Sequence, residues 1–413
     1  MADKVHPRVL EYLALREPGQ PIPVIVKYAK VQVPEQRRRR RIWGTADRYL
    51  YRRVSAVAMQ VTAAGLGRLN EDPNVVAVWP DLLMHTMLDV SAPHIRVPEV
   101  WAESGKGAGI RVAVVDTGID ADHPDLAGRV AATVSFAGAS GADGHGHGTH
   151  VAGTIAGNGT ASQGRYVGMA PEALIYAAKV LRDDGSGMMS DVMAGVEWAV
   201  DQHVQVINLS LGSDEKSDGA DPLSELCDAA MAQGIVVCVA AGNAGPGQGT
   251  VGSPASARQV ITIGAATDVD RIASFSSRGP TKDGRTKPDV TFPGVDIVAC
   301  RAAGTRMGTP VGEHYTQASG TSMATPHAAG VAALLLGAEP ALTPAEVKAR
   351  FQAGAVDLGL DGNTQGAGRV DAYAALTQEE PPPGPPPPPP PPPPPAPPDG
   401  CLAAPLQWLG IHP

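Results

Sequence analysis

Cysteine is scarce: Cys227, Cys238, Cys300 and Cys401 are scattered through 413 positions without metal-ligand spacing. That excludes a disulfide framework as the basis of stability, and free thiols are expected. Long apolar runs are missing too. No stretch reaches the roughly 18 apolar residues of a membrane span. The first eight residues lack the apolar run of a secretory leader. A soluble cytoplasmic protein is therefore expected, with secretion as the alternative. Positive charge is in deficit, 33 Lys and Arg against 42 Asp and Glu for a net charge of -9. Neither nucleic acid nor a membrane is expected as a partner.

What is present describes a globular chain. Hydrophobic residues make up 43% and glycines number 48, enough for a sizeable core joined by many turns, and the length suits two to three domains. Residues 20–88 alternate in the order β-α-β-α-β, a small α+β domain. In it, 23–28, 49–61 and 75–79 read as strands, and the five arginines 37–41 as the solvated face of a helix. Residues 88–97 read as a connecting segment. From Gly109 the pattern changes: near-continuous apolar strands at 111–116, 174–181, 206–211 and 235–240 are separated by helical patterns at 191–200 and 222–232. Strands apolar on both faces belong to a parallel sheet covered by helices on each side. Residues 92–377 are thus read as a doubly wound α/β domain with its chemistry beyond the C-terminal strand ends, closed by helices around 343–347 and 369–373. Residues 381–398 are nearly pure proline, a polyproline spacer. The tail 399–413 is too short to fold alone.

Three stretches carry chemistry. Asp116 ends the first core strand where Thr117-Gly118 turns the chain away, which presents a carboxylate at the strand end, although aspartate also begins ordinary turns. His145, His147 and His150 cluster where a small-residue helix opens. Such a cluster suits a general base beside a nucleophile, or a metal site; a dinuclear zinc run would carry aspartate where Thr149 stands. Gly320-Thr321-Ser322 delivers a serine through a glycine turn to an apolar helix, whose N-terminus favours negative charge beside the hydroxyl. A serine or threonine N-cap would look the same.

Taken together, Asp116-Thr117-Gly118, His147-Gly148-Thr149-His150 and Gly320-Thr321-Ser322-Met323-Ala324 resemble the three catalytic signatures of the subtilisin-like serine proteases, the subtilase family. The resemblance spans residues 109–376. It implies a subtilisin-like peptidase domain in which Ser322 is the nucleophile, His147 the general base and then acid, and Asp116 the group that fixes the imidazole. It places Asn243, in Ala240-Ala241-Gly242-Asn243, in the oxyanion hole. Gly185, Ser186 and Gly187 on one side and Ser210, Leu211 and Gly212 on the other resemble the segments that pair with an extended peptide. The pocket behind them, Ala240, Ala241, Gly242, Ala244 and Gly252, is small and uncharged, which implies a large apolar side chain before the scissile bond. A serine esterase of the α/β-hydrolase kind would need glycine where Ala324 stands and a different order of the three residues.

The chemistry implied needs no cofactor. Asp125 stands where many relatives hold a structural calcium ion, but the loop 157–166 departs from the calcium loop and carries Arg165. No metal is expected at Asp125, while a structural calcium ion elsewhere stays open. The N-terminal domain resembles the family's ferredoxin-like propeptide, an intramolecular chaperone and inhibitor. Its end, 81–88, is expected to occupy the cleft and to be cleaved nearby; a permanent accessory domain is the alternative. Within the family the chain is similar to the intracellular AprX-type group. Protein substrates and its own propeptide are the partners implied, and a monomer is expected.

Overall fold

A computed structural model describes residues 4–5, 9–10, 13, 19–29, 47–51, 56–80, 88–213 and 215–384. The chain divides into two compact units, Met1–His85 and Thr86–Pro413. The arginine run, the expected cleavage segment 81–87 and the proline run from 385 onward lie outside the described residues.

The first unit is a four-stranded antiparallel sheet: β1 (Ile22–Tyr28), β2 (Asp47–Tyr51), β3 (Ala56–Val61) and β4 (Val75–Pro80), in the order β2-β3-β1-β4. In β1 the alternating Ile22, Val24, Val26 and Tyr28 are buried and Lys27 is exposed, a period of two that puts one face on the core. Helix α1 (Ala63–Glu71) supplies Leu66 and Leu69 to that core, and the Thr62 hydroxyl caps it by accepting from the Gly65 N–H. The stretch read as one strand over 49–61 is two, paired so that Tyr51 faces Ala56. No glycine, proline or asparagine marks the reversal, so composition alone gives no sign of it. The unit also begins before residue 20, because Val5 bridges Val78 and Val9 is buried with it.

The second unit is built on a nine-stranded sheet ordered β15-β16-β11-β10-β9-β8-β5-β7-β6. Its strands are β5 (Arg111–Asp116), β6 (Val130–Ser135), β7 (Leu174–Lys179), β8 (Val206–Leu209), β9 (Val236–Ala240), β10 (Ile261–Ala266), β11 (Val290–Pro293), β15 (Ala355–Val356) and β16 (Arg369–Val370). All ladders are parallel except β15 with β16 at the edge. Helices α2 (His147–Ala156) and α5 (Thr321–Ala338) pack together, with α5 across β8 to β11. Helices α3 (Met189–Asp201) and α4 (Pro222–Ala232) pack together against β7, β5 and β9. The core strands are buried on both faces, as parallel sheets require. A small antiparallel sheet of β12 (Ile297–Cys300), β14 (Tyr315–Ala318) and β13 (Thr309–Val311) stands beside α2.

The helix expected at 369–373 begins later: Arg369–Val370 is strand β16 and the helix is Ala372–Thr377, with the Asp371 carboxylate accepting the Ala374 N–H as its cap. Pairing with β11 and β15 outweighs the helical appearance of this stretch. The connecting segment at 88–97 is also ordered, with the helix Leu88–His94. Its Ser91, His94 and Arg96 are tied to His327, Asp270 and Asp371. No helix among the described residues is long and apolar enough to cross a membrane.

Candidate active site

The chain runs from β5 towards β7 and β6 on one side and from β8 towards β11 on the other, so the sheet changes direction between β5 and β8. A crevice at such a point is open beyond the strand ends. Asp116 is the last residue of β5 and fully buried. Its Oδ1 accepts the Thr117 N–H at 2.7 Å and the His147 Nδ1–H at 2.8 Å. Those bonds fix the tautomer that leaves Nε2 as the basic nitrogen.

His147 is the first residue of α2, and a carboxylate that sequence reasoning missed sets the start of that helix. Buried Asp143 accepts from the N–H groups of Gly146 (2.7 Å), His145 (3.1 Å) and Thr149 (2.9 Å), and from the hydroxyls of Thr149 (2.7 Å) and Thr117 (2.9 Å). It thereby satisfies N–H groups that a helix start leaves unpaired and places negative charge at the positive end of the helix. Asp143 stands four residues before the first helical residue, while the N-cap position itself is Gly146, so no ordinary capping signal marked it in the sequence. Gly148 lets α2 approach β5: a Cβ there would run into the Gly118 carbonyl and come within 3.3 Å of the Asp116 Cβ. Burial pulls the His147 imidazole down, but the charge and hydrogen bond of Asp116, with Asp143 behind, outweigh it and hold its pKa above the ordinary value.

The three histidines of the cluster do not converge on a metal. His147 is bonded to Asp116, and His150 turns into the core, where its Nε2–H donates to the Ile297 carbonyl at 3.0 Å. His145 forms part of the cleft wall.

Ser322 is the second residue of α5. Its hydroxyl donates to the Ser210 carbonyl at 3.0 Å, while the Ser210 hydroxyl donates to the Ser322 carbonyl at 2.9 Å and accepts from Asn208 Nδ2 at 2.9 Å. The nucleophile candidate is therefore locked to the strand end beside β5. Asn243 follows β9, and its Oδ1 accepts the Thr321 N–H at 2.9 Å and the Thr321 hydroxyl at 3.1 Å. With the carbonyl end of the amide used in this way, Nδ2 is its remaining donor.

His147, Ser322 and Asn243 line one cleft of about 610 Å³, together with Gly185, Ser186, Gly187, Ser210, Leu211, Gly212 and Gly242. Ala241 does not reach it: the residue is fully buried and its N–H donates to the Ile263 carbonyl. Being small made it look like pocket lining, but the period of the strand end turns it inward. The lining also includes Leu181, Met189, Val192, Leu223 and Ser253, which the motif reading did not supply because they come from the cleft's other walls.

Asp125 is buried and both its oxygens are engaged: Oδ1 accepts the Ala161 N–H at 2.7 Å and Oδ2 accepts the Tyr315 hydroxyl at 2.7 Å. His123 and Cys300 bring an imidazole and a thiol near it, all three within 4.8 Å of one another. His123 Nδ1 accepts the Asp125 N–H and its Nε2–H donates to the His314 carbonyl. One carboxylate with an imidazole and a thiol does not fit calcium, a hard cation that wants several oxygens. Cys227, Cys238 and Cys300 are free, buried thiols, and burial pushes the Cys300 thiol well up, with Asp125 adding to it.

Comparison with known proteins adds sequence relationships to this geometry. The model of the subtilase family matches residues 107–369. The chain is 39% identical over 350 residues to the serine protease AprX of Bacillus subtilis, covering 78% of this chain and 79% of that protein. It is 38% identical over 318 residues to subtilisin E of Bacillus subtilis, covering 75% and 77%. To the thermostable alkaline protease of Halalkalibacterium halodurans it is 36% identical over 313 residues, covering 75% and 80%.

Proposed function

Since the chain belongs to the subtilase family of serine proteases, we propose that it hydrolyses peptide bonds through Ser322, His147 and Asp116. The observation that carries the proposal is the 2.8 Å bond between His147 Nδ1 and Asp116 in the cleft that Ser322 shares. A substrate lies extended between Gly185–Gly187 and Ser210–Gly212. The Ser322 hydroxyl turns from the Ser210 carbonyl to His147 Nε2, which takes its proton as Oγ attacks the scissile carbonyl, then gives it to the leaving amine. Asn243 Nδ2 and the Ser322 N–H receive the developing oxyanion, with the N-terminus of α5 favouring that charge. Water admitted by the departing amine is activated by the same imidazole and releases the acyl group. The chemistry requires no cofactor, and we place no ion at Asp125.

An apolar residue before the scissile bond suits the small, uncharged lining that Ala240 and Gly242 give the cleft. The first unit acts as a propeptide: its helix-backed antiparallel sheet, with order β2-β3-β1-β4, is compatible with a ferredoxin-like inhibitor that the enzyme removes from itself. The working enzyme is a monomer of the AprX type, and its free buried thiols fit a reducing, cytoplasmic compartment.

Casein hydrolysis and intact mass for wild type and Ser322→Ala test this reading. Wild type is expected to lose its N-terminal unit and digest casein, while the variant stays full length and inert. Equal activity of the two would overturn it.

A further inference from the structure

We propose that Asn208 is a positioning residue for the Ser322 nucleophile, acting through the Ser210 hydroxyl on a backbone carbonyl that helix α5 leaves unpaired. This rests on the peptidase reading above. Helix α5 contains Pro326, which has no N–H to donate. The N–H of a helical residue bonds the carbonyl four positions earlier, so the carbonyl deprived of its partner is that of Ser322. The proline ring also crowds that same carbonyl. Its two neighbours receive side chains of the helix itself: Thr325 Oγ1 donates to the Thr321 carbonyl and His327 Nδ1 to the Met323 carbonyl, each at 2.8 Å. To the Ser322 carbonyl the donor comes from another element, the Ser210 hydroxyl at 2.9 Å. The backbone that carries the nucleophile is thereby held from the end of β8.

A hydroxyl proton rotates to suit its surroundings, and Asn208 removes that freedom. Its Nδ2 donates to Ser210 Oγ at 2.9 Å, which occupies the oxygen and directs the Ser210 proton to the Ser322 carbonyl. Two positions apart along the strand, Asn208 and Ser210 share a face. Asn208 sits opposite Val114 of β5, the strand that ends in Asp116, so the relay refers Ser322 to the part of the sheet from which His147 is also held. Fully buried, Asn208 does not line the cleft. Its Oδ1 is buried without a hydrogen-bond partner among the described residues. A buried carbonyl left unpaired destabilises a fold, and an apolar residue such as Val206 on the same face carries no such penalty. Stability alone therefore does not call for asparagine at 208, whereas a fixed donor to Ser210 does.

The test follows hydrolysis of a peptide anilide and the rate of fluorophosphonate labelling in wild type, Asn208→Ala, Asn208→Val, Ser210→Ala and the double variant Asn208→Ala with Ser210→Ala. Urea unfolding of the same variants in the Ser322→Ala background reads stability. Alanine and valine both lack the donor but differ in size. Each should lower kcat and the labelling rate about tenfold, the equivalent of one hydrogen bond of ordinary net strength. KM should stay within about twofold, because no contact with substrate is lost. The urea midpoint of Asn208→Val should not fall, since the substitution also removes an unpaired carbonyl. Because Asn208 acts through Ser210, the double variant should be as slow as Ser210→Ala to within about twofold. Wild-type rates in both Asn208 variants, losses that track a fall in stability, or a further tenfold loss in the double variant would overturn the proposal. Failure of the peptidase reading looks different: wild type leaves the anilide intact and Ser322 unlabelled, and the proposal falls with it.

Discussion

Acid should destabilise this protein through two histidines that are absent from the cleft. His150 on α2 donates to the Ile297 carbonyl; His327 on α5 donates from Nδ1 to the Met323 carbonyl at 2.8 Å and accepts at Nε2 from the Ser91 hydroxyl at 2.9 Å. Both are fully buried. Burial pulls His150 down to about 3 and His327 to about 4. Unfolded, each takes a proton near the ordinary value of about 6.5. Because the folded values lie below the unfolded one, the unfolded chain binds more protons between them. Stability therefore falls as pH drops through that window. At pH 5 the solution is about 1.5 units below the unfolded value and still above both folded ones, so each histidine removes about 2 kcal/mol relative to pH 8. The pair removes about 4 kcal/mol, a large share of the 5–15 kcal/mol typical of a folded domain. His147 works in the opposite sense: its raised value contributes stability at low pH that is lost as pH rises through it. The assay is urea unfolding at pH 8 and pH 5 in the Ser322→Ala background, which prevents self-digestion, with and without His327→Gln. Whatever the variant's absolute stability, its loss between the two pH values should be smaller by about 2 kcal/mol. An undiminished loss would refute the assignment of this acid sensitivity to buried neutral imidazoles.

Asn243→Ala should reduce kcat by about 10²–10³-fold with little change in KM, because the lost donor acts on charge that develops only in the transition state; steady-state kinetics on a peptide anilide would show it. Asp143→Ala should lower both stability, by about 1–2 kcal/mol for the lost cap, and kcat, because the start of α2 carries His147; thermal unfolding and peptide hydrolysis read the two effects. The acid limb of kcat/KM should lie above the ordinary imidazole value, since the base must be neutral and Asp116 holds its pKa up. Asp116→Asn should flatten that limb and move it down.

The sequence made the central strands and the triad stretches legible because each is local: a fully apolar run ending in Asp116, a glycine-bounded serine, a histidine at a helix start. Residues whose role depends on distant partners were not legible in this way. Asp143 holds the start of α2 through its near neighbours but is tied to the end of β5 by a bond from Thr117, 26 residues away, and Ser210 fixes Ser322 across 112 residues. Ala241 and Gly242 read alike as small residues, yet only Gly242 reaches the cleft. Strands β10 and β11 lacked the alternation with helices that marked the others, and Arg369–Val370 becomes a strand only because β11 and β15 offer it partners. Motifs thus identified which side chains carry chemistry, while the residues that orient them emerged from the fold.

The most direct test of the central claim is to label the enzyme with a fluorophosphonate at pH 8 and locate the modified residue by peptide mapping, in wild type, His147→Ala and Ser322→Ala. One phosphonyl group is expected on Ser322 in wild type, with much slower labelling without His147 and none in Ser322→Ala. Stoichiometric labelling of another residue, or labelling of Ser322 at an unchanged rate without His147, would contradict it.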